Sequence, residues 1–322
     1  MLKKFLALVA AFVALSGFSC PAAAETWPNR PLKFTIGFPP GGLNDVLARL
    51  YGEQVGKAIG QPVVLDYKPG ASGRLAMALT ARAKPDGYTL ALGNTGALTI
   101  LPHLYSDLRY DPQHDFTFVS ALGMTPLVMV VRKEAGARSV KELLEESRKR
   151  PMSYGTLGIG SPGHLAFELL KEQDNFPMIS VPYKGTNEQI PAVLSGQVDV
   201  ALELLPSVLP FLQDGRLRAL AVTSAQRVPQ LADTPTLTEL GYDGMVVNSW
   251  YLVLAPAGTP KPIVDRLALE YRKASETQSV YEYMQTQGLM PFPGSPSEIG
   301  AALEQESERW QRLIKARNIR ID

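Results

Sequence analysis

Short runs of β-branched and apolar residues alternate along this chain with amphipathic stretches of 10 to 16 residues, the pattern of βα units that build a mostly parallel sheet. Residues 33–38 (KFTIGF) predict a strand, and residues 44–59 a helix in which Val46, Leu47, Leu50, Val55 and Ile59 share one side. A second strand is expected at 63–67, a second helix at 73–83 and a third strand at 88–93, which outlines one α/β lobe. The long extended run 117–132, interrupted by Gly123 and Pro126, marks where the chain leaves that lobe for another. Strands near 152–156, 178–182, 198–203 and 217–223 then alternate with helices near 139–150, 164–173, 187–196 and 207–214. Residues 246–255 form a second extended run, read as the return crossing, after which helices near 261–273 and 296–316 are expected to pack back on the first lobe. The expected organisation is therefore a discontinuous first lobe of residues 25–122 and 251–322, with residues 123–250 as the second. Two crossings make a hinge near 123–126 and 247–251. The charged run 141–150 pairs Glu145 with Lys149 and Glu146 with Arg150 at i, i+4, as a solvated helix face does.

The first 24 residues break the pattern. Lys3 and Lys4 precede a 14-residue apolar stretch, Phe5 to Phe18, and Ala22, Ala23 and Ala24 offer a small-residue cleavage site, so residues 1–24 are expected to be a signal peptide. The stretch is shorter than the roughly 20 residues needed to span a bilayer. Cys20 raises lipoprotein processing, but the bulky Phe18 stands where a small residue is expected, and soluble release into the periplasm is the preferred reading. Without that segment, 30 basic residues face 31 acidic ones, which argues against nucleic acid as a partner. No cysteine is left for a disulfide or thiolate metal site. His103, His114 and His164 lie far apart, and the i, i+4 pair His164 and Glu168 reads as an ordinary polar contact, so neither a metal nor a cofactor is expected.

Four loops at predicted strand ends are rich in glycine and small polar residues, and in open α/β sheets ligands sit at the carboxyl ends of strands. The first, Phe38, Pro39, Pro40, Gly41, Gly42, Leu43, Asn44 and Asp45, leads into a helix whose free N–H groups favour a carboxylate or phosphate. A tight turn capped by Asn44 or Asp45 explains the same residues. The second loop is Lys68 to Gly73 with Ser72, and the third carries Asn94 and Thr95. The fourth, Gly155 to His164, includes Gly160, Ser161 and His164. It matches a dinucleotide fingerprint formally at Gly158, Gly160 and Gly163, but Pro162 interrupts the match and no well-placed acid ends the next strand. Only Arg74, at the edge of the second loop, brings a guanidinium near. Tyr183, Lys184, Gly185 and Thr186 add a fifth wall, with Tyr183 as a rim or stacking residue and Lys184 solvated or ligand-facing, and Asp199 either receives a ligand amine or orients a backbone turn. Trp250 on the return crossing reads as core.

At these residues the chain resembles the Bug-type extracytoplasmic solute receptors, the substrate-binding components of tripartite tricarboxylate transporters, nearly end to end. The resemblance rests on Trp27-Pro28-Asn29-Arg30-Pro31, Phe38-Pro39-Pro40-Gly41-Gly42 with Asp45 and Arg49, Lys68-Pro69-Gly70-Ala71 with Gly73, and Pro85-Asp86-Gly87-Tyr88. It continues through Gly158, Gly160-Ser161 and His164-Leu165, Pro182-Tyr183-Lys184-Gly185, Gly196-Gln197-Val198-Asp199, Pro235-Thr236 with Glu239 and Gly241, and Ala255-Pro256-Ala257-Gly258-Thr259-Pro260. It implies a type II periplasmic binding-protein fold, two α/β lobes around a ligand cleft, closing on a small carboxylate held by backbone donors and ordered water. It also implies delivery to membrane transporter subunits, with loops 38–45 and 158–164 facing each other; the scarcity of catalytic groups makes a non-enzymatic protein the expectation, and a monomer is expected. Thr186 to Ile190 departs from the family pattern, which places Glu188 where it alters selectivity.

Two other functions use the same residues. A ligand-loaded partner of a membrane sensor needs the same cleft with a different docking surface. A hydrolase would use Ser161 as nucleophile and His164 as base, but no third orienting group is evident and the context is not Gly-x-Ser-x-Gly.

Overall fold

The computed structural model describes residues 27–291 and 296–321; the expected signal segment, 1–24, lies outside them. Three parallel strands, β1 (Leu32–Ile36), β2 (Val63–Tyr67) and β3 (Thr89–Asn94), form one side of a mixed sheet in the order β2-β1-β3. The parallel pairs β5 (Met152–Thr156) with β6 (Met178–Pro182) and β5 with β7 (Val200–Leu204) form the other. Between them run two long antiparallel strands, β4 (Phe116–Arg132) and β9 (Asn248–Pro256). The first part of β4 pairs with β9, which in turn pairs with β3; from Leu127 onward β4 pairs with β7 and with β8 (Leu217–Val222). One strand thus serves both lobes. Register shifts between Phe118 and Ser120 and between Ala121 and Gly123 turn its alternation, so Val119 and Leu122 face one core and Leu127, Met129 and Val131 another.

Helices cover both faces, as buried parallel strands require. α1 (Leu43–Ile59) follows β1, stops at the left-handed Gly60, and buries Leu43, Leu47, Ala48, Tyr51 and Val55 against β1 and β9. α2 (Arg74–Ala81) covers the opposite face through Met77. In the second lobe α3 (Val140–Ser147) and α4 (Pro162–Gln173) share a core with Tyr154, Val200 and Leu202, while α5 (Thr186–Ser195) and α6 (Leu205–Gln213) cover Ala201, Val128 and Val130. α7 (Lys261–Ser275) packs beside α1 through Leu267 and Tyr271. α8 (Gln278–Gln287) has too weak a pattern to read from sequence, since only Val280 and Met284 are buried. No helix among the described residues is long and apolar enough to cross a membrane.

The last helix corrects one expectation. α9 (Pro296–Ala316) does not stay with the first lobe: Ile299 and Leu303 pack there, but Trp310, Leu313 and Ile314 enter the core beneath α4. A helix of 21 residues is long enough to cross from one core to the other.

Candidate functional site

Because β1, β2 and β3 are parallel, with Ile36 opposite Tyr67 and Thr35 opposite Ala91, their carboxyl ends share one edge. The loops leaving that edge touch. A Cβ on Gly37 would fall 2.4 Å from the Gly73 Cα, while one on Gly73 would meet the Phe38 ring at 3.4 Å and the Asn94 Nδ2 at 3.8 Å. Ser72 holds φ at 55°, a left-handed conformation uncommon outside glycine, to make the turn before α2.

The first loop is braced from below and open above. The buried Asp45 carboxylate accepts the Gly41 N–H at 2.9 Å, the Tyr67 hydroxyl at 2.5 Å and Arg49 Nη2 at 2.9 Å. Burial pushes its pKa up, but the Tyr67 hydroxyl, the Gly41 amide and Arg49 together hold it below the ordinary carboxylate value. Asp45 is therefore spent on the loop's shape. Gly42, at the N-cap of α1, has no capping side chain, and neither Gly41 nor Gly42 has an atom within 4 Å of where a side chain would begin. Pro40 is exposed beside them, and the buried Asn44 Oδ1 has no hydrogen-bond partner among the described residues.

Asn94 and Thr95 are largely structural. Asn94 Oδ1 accepts the Ala97 N–H at 3.0 Å, so Gly96–Ile100 is a helical turn where a loop was expected. Thr95 Oγ1 accepts the Trp250 N–H at 2.9 Å and reaches the Asn248 carbonyl at 3.3 Å, tying β3 to the return crossing.

In the second lobe Thr156 lies opposite Pro182, and Gly155 opposite Ala201, which brings the ends of β5, β6 and β7 together. The loop after β5 turns through left-handed Gly158 and Gly160, and a Cβ on Gly160 would collide with Leu104 Cδ1, so the lobes approach closely here. Ser161 Oγ accepts the His164 N–H at 3.3 Å and His164 Nδ1 accepts the Gly160 N–H at 3.4 Å. Ser161 is thus a helix cap. Burial lowers the His164 pKa, with Glu168 opposing and Lys171 reinforcing the shift. Its Nδ1 faces a backbone amide rather than Ser161 Oγ.

Tyr183 donates its N–H to Thr156 O and packs against the α5–α6 core; Lys184 is exposed, and its N–H reaches Glu188 Oε2 at 3.2 Å. Glu188 closes this turn with its carboxylate. Asp199 stands at the wrong end of the sheet: its Oδ2 accepts the Ser153 N–H at 2.8 Å and its Oδ1 pairs with Arg150, next to the start of β5. Arg74 donates to the Asp107 carbonyl and stacks on Tyr105. Thr186 and Gln189, within the segment that departs from the family pattern, cluster with Glu203 under the first turn of α5; Glu203 is the member the sequence did not single out, and a lone acid inside the apolar strand VALEL was the available signal.

Among the described residues no group of three His, Cys, Asp or Glu is placed to hold a metal ion. A groove of about 770 Å³ lies between Leu98, Phe116, Phe118 and α9, but no residue of the strand-end loops lines it.

Two α/β lobes joined through long shared strands, with glycine-rich loops at the carboxyl ends on both sides, define a periplasmic solute-binding protein of the type II class. The chain belongs to the tripartite tricarboxylate transporter receptor family, whose model (TctC, "Tripartite tricarboxylate transporter family receptor") matches residues 47–319. It is 32% identical over 317 residues to "Protein BugT" of Bordetella pertussis (strain Tohama I), covering 98% of this chain and 97% of that one. Among solved structures it resembles "R. palustris Rpa4515 with adipate" at TM-score 0.85 and 34% identity, covering 91% of this chain and 99% of that one. The "periplasmic binding protein BugD" superposes at TM-score 0.84 with 32% identity, covering 91% and 99%. These likenesses make the chain a Bug-type receptor.

Proposed function

We propose that this protein captures a small organic acid between its lobes in the periplasm, after removal of residues 1–24, and delivers it as a monomer to the membrane subunits of a tripartite tricarboxylate-type transporter. The observation that carries this reading is the start of α1. With no side chain capping it, its first-turn N–H groups point out of the helix as donors, at the positive end of the helix dipole. Gly41 and Gly42 leave that end open to a ligand, and Phe38, Pro40, Leu43, Asn44, Ser72 and Asn94 surround it. Gly160, Tyr183 and Lys184 form the facing wall. A few charge-assisted hydrogen bonds of roughly 1.5–3 kcal/mol each are enough for micromolar binding, about −8 kcal/mol, once association costs offset part of them.

The first lobe, 25–122 with the chain from 251 up to α9, and the second, 123–250, with α9 packed on both, would close about the crossings near 123–126 and 247–251. The adipate-bound relative supports a carboxylate ligand. Mass spectrometry of the denatured protein should release a small acid carried from the cell, and calorimetry against a panel of carboxylates should find a binder. Binding of uncharged sugars alone would overturn the reading. Recovery of the transporter's membrane subunits with the loaded receptor tests delivery.

A further inference from the structure

Under the first turn of α5 lies a polar recess inside an otherwise apolar core. Glu203 is 1% exposed on β7, and by alternation it shares a face with Ala201. Its carboxylate oxygens stand 3.3 and 3.2 Å from Thr186 Oγ1, and one accepts the Leu204 N–H at 3.2 Å. No cation pairs with it among the described residues: the influences that lower its proton affinity are only that amide and that hydroxyl. Gln189, one turn along from Thr186, is fully buried, and neither of its amide atoms has a hydrogen-bond partner among the described residues. It rests on Gly155, where a Cβ would come within 3.1 Å of its Cγ, so the glycine makes room for it. Gly155 and Ala201 are register partners, which puts the recess at the carboxyl edge of β5 and β7, beside the ligand crevice.

The donor count decides what this recess prefers. A hydroxyl has one proton, and once Glu203 is ionised, above about pH 7, Thr186 spends it on that acid, so the lone pairs of Oγ1 remain on the side of the half-buried Thr186 that is not against it. Glu203 and the Gln189 carbonyl add further acceptors, against the single amide group of Gln189 as donor. A second carboxylate on a ligand would meet acceptors and a buried like charge. A hydroxyl or an ammonium would meet partners, and a buried acceptor left unmatched is costly enough to reject the analogue that lacks the donor.

We propose that Thr186, oriented by Glu203 with Gln189 beside it, is the specificity-determining contact of the second lobe and selects an acid bearing a hydrogen-bond donor, hydroxyl or ammonium, besides its carboxylate. The proposal rests on the acid-receptor reading above. Glu203 acts through Thr186 and is a positioning residue.

The test is calorimetry on two matched series, propionate, lactate and alanine, and succinate, malate and aspartate, at pH 8, above the value of about 7 to which burial pushes Glu203. In at least one series the hydroxyl or ammonium member should bind about tenfold more tightly than the unsubstituted acid. The lactate and malate arms separate a hydroxyl preference from the ammonium preference that alanine and aspartate report. Glu203→Gln, whose amide can donate to Thr186 and free the threonine proton, should bring that ratio below about threefold. Thr186→Val should do the same and Thr186→Ser should preserve it, which keeps the test alive if the Glu203 variant does not fold. A merely structural role would lower affinity for every member alike and leave the ratio unchanged, and that result would overturn the proposal. Binding of unsubstituted acids without preference overturns it alone; binding of no acid overturns it together with the receptor reading.

Discussion

Gly37 and Gly73 meet backbone to backbone: a methyl group on Gly37 would stand 2.4 Å from the Gly73 Cα and 3.2 Å from its carbonyl oxygen. The loops leaving β1 and β2 touch because Gly37 has no side chain, while Gly73 supplies the left-handed backbone, φ 92°, of the turn. Gly37→Ala must push the turn at 70–73 outward, with Phe38 and Asn94 following, since both lie against Gly73. The expected cost is about 1–3 kcal/mol of stability, typical of overpacking, together with weaker acid binding. Urea denaturation and calorimetry on the variant check both; an unchanged midpoint with unchanged affinity would show that this contact does not hold the loops.

Asp45 links three elements through Gly41, Tyr67 and Arg49. An amide in its place keeps the shape but has one oxygen and turns an NH₂ toward groups that donate. Asp45→Asn should therefore lose about 1–3 kcal/mol near neutral pH. The sign of its pH dependence follows from the lowered pKa. Stability from Asp45 is fully present above its ordinary value of 3.8 and is lost as pH falls through the lower folded value. Thermal melts of both proteins from pH 7 to pH 2 should show the variant with a shallower acid limb.

Much of this architecture is legible in the sequence because glycine and proline punctuate it. The strand read at 63–67 is β2, Val63–Tyr67, and the terminal helix read at 296–316 is α9, Pro296–Ala316. What stayed hidden depends on direction and on tertiary neighbours. Asp199 precedes its strand, so it stands at the amino edge, opposite the glycine-rich loops. Ser161 carries the same local pattern whether it attacks a substrate or caps a helix, and only the positions of the His164 N–H and Nδ1 decide. The periodicity of α9 shows which side is apolar, but not that Trp310 and Ile299 enter different cores. Glu203 was visible as the one acid of an apolar strand, yet its significance needed Thr186 above it.

Two buried carboxylates should give the protein an unusual pH profile. Burial pushes Glu203 up to about 7, against the Leu204 amide and Thr186 hydroxyl, and pushes Glu306 up to about 7 against the pull of Arg309. The unfolded chain releases both protons near pH 4.5, whereas the native protein holds them until about pH 7. The native state therefore binds more protons in this window, and stability falls as pH rises from 4.5 to 7, by on the order of 3 kcal/mol per group at most. Glu203→Gln should remove its share of the slope. Denaturation midpoints at half-unit intervals test this, and a profile that rises or stays level from pH 5 to pH 7 in the parent protein would contradict it.

Trp310 is wholly buried under the second lobe, while Ile299 and Leu303, earlier on the same helix, pack against the first. α9 thus joins the cores by a route separate from β4 and β9. Trp310→Ala removes the largest side chain of that anchor and leaves a cavity among Leu313, Ile314 and their neighbours, for an expected loss of about 3–5 kcal/mol. The loss should fall unevenly: hydrogen exchange should speed up at β5 and α4, whose core contains the indole, more than at β1 and β2, which share none of it. An acid bound between the lobes, as proposed above, would stabilise the native state by mass action, so saturating ligand should recover part of the lost melting temperature. A midpoint shift under about 0.5 kcal/mol, or equal loss of protection in both lobes, would show that α9 is not the anchor its packing indicates.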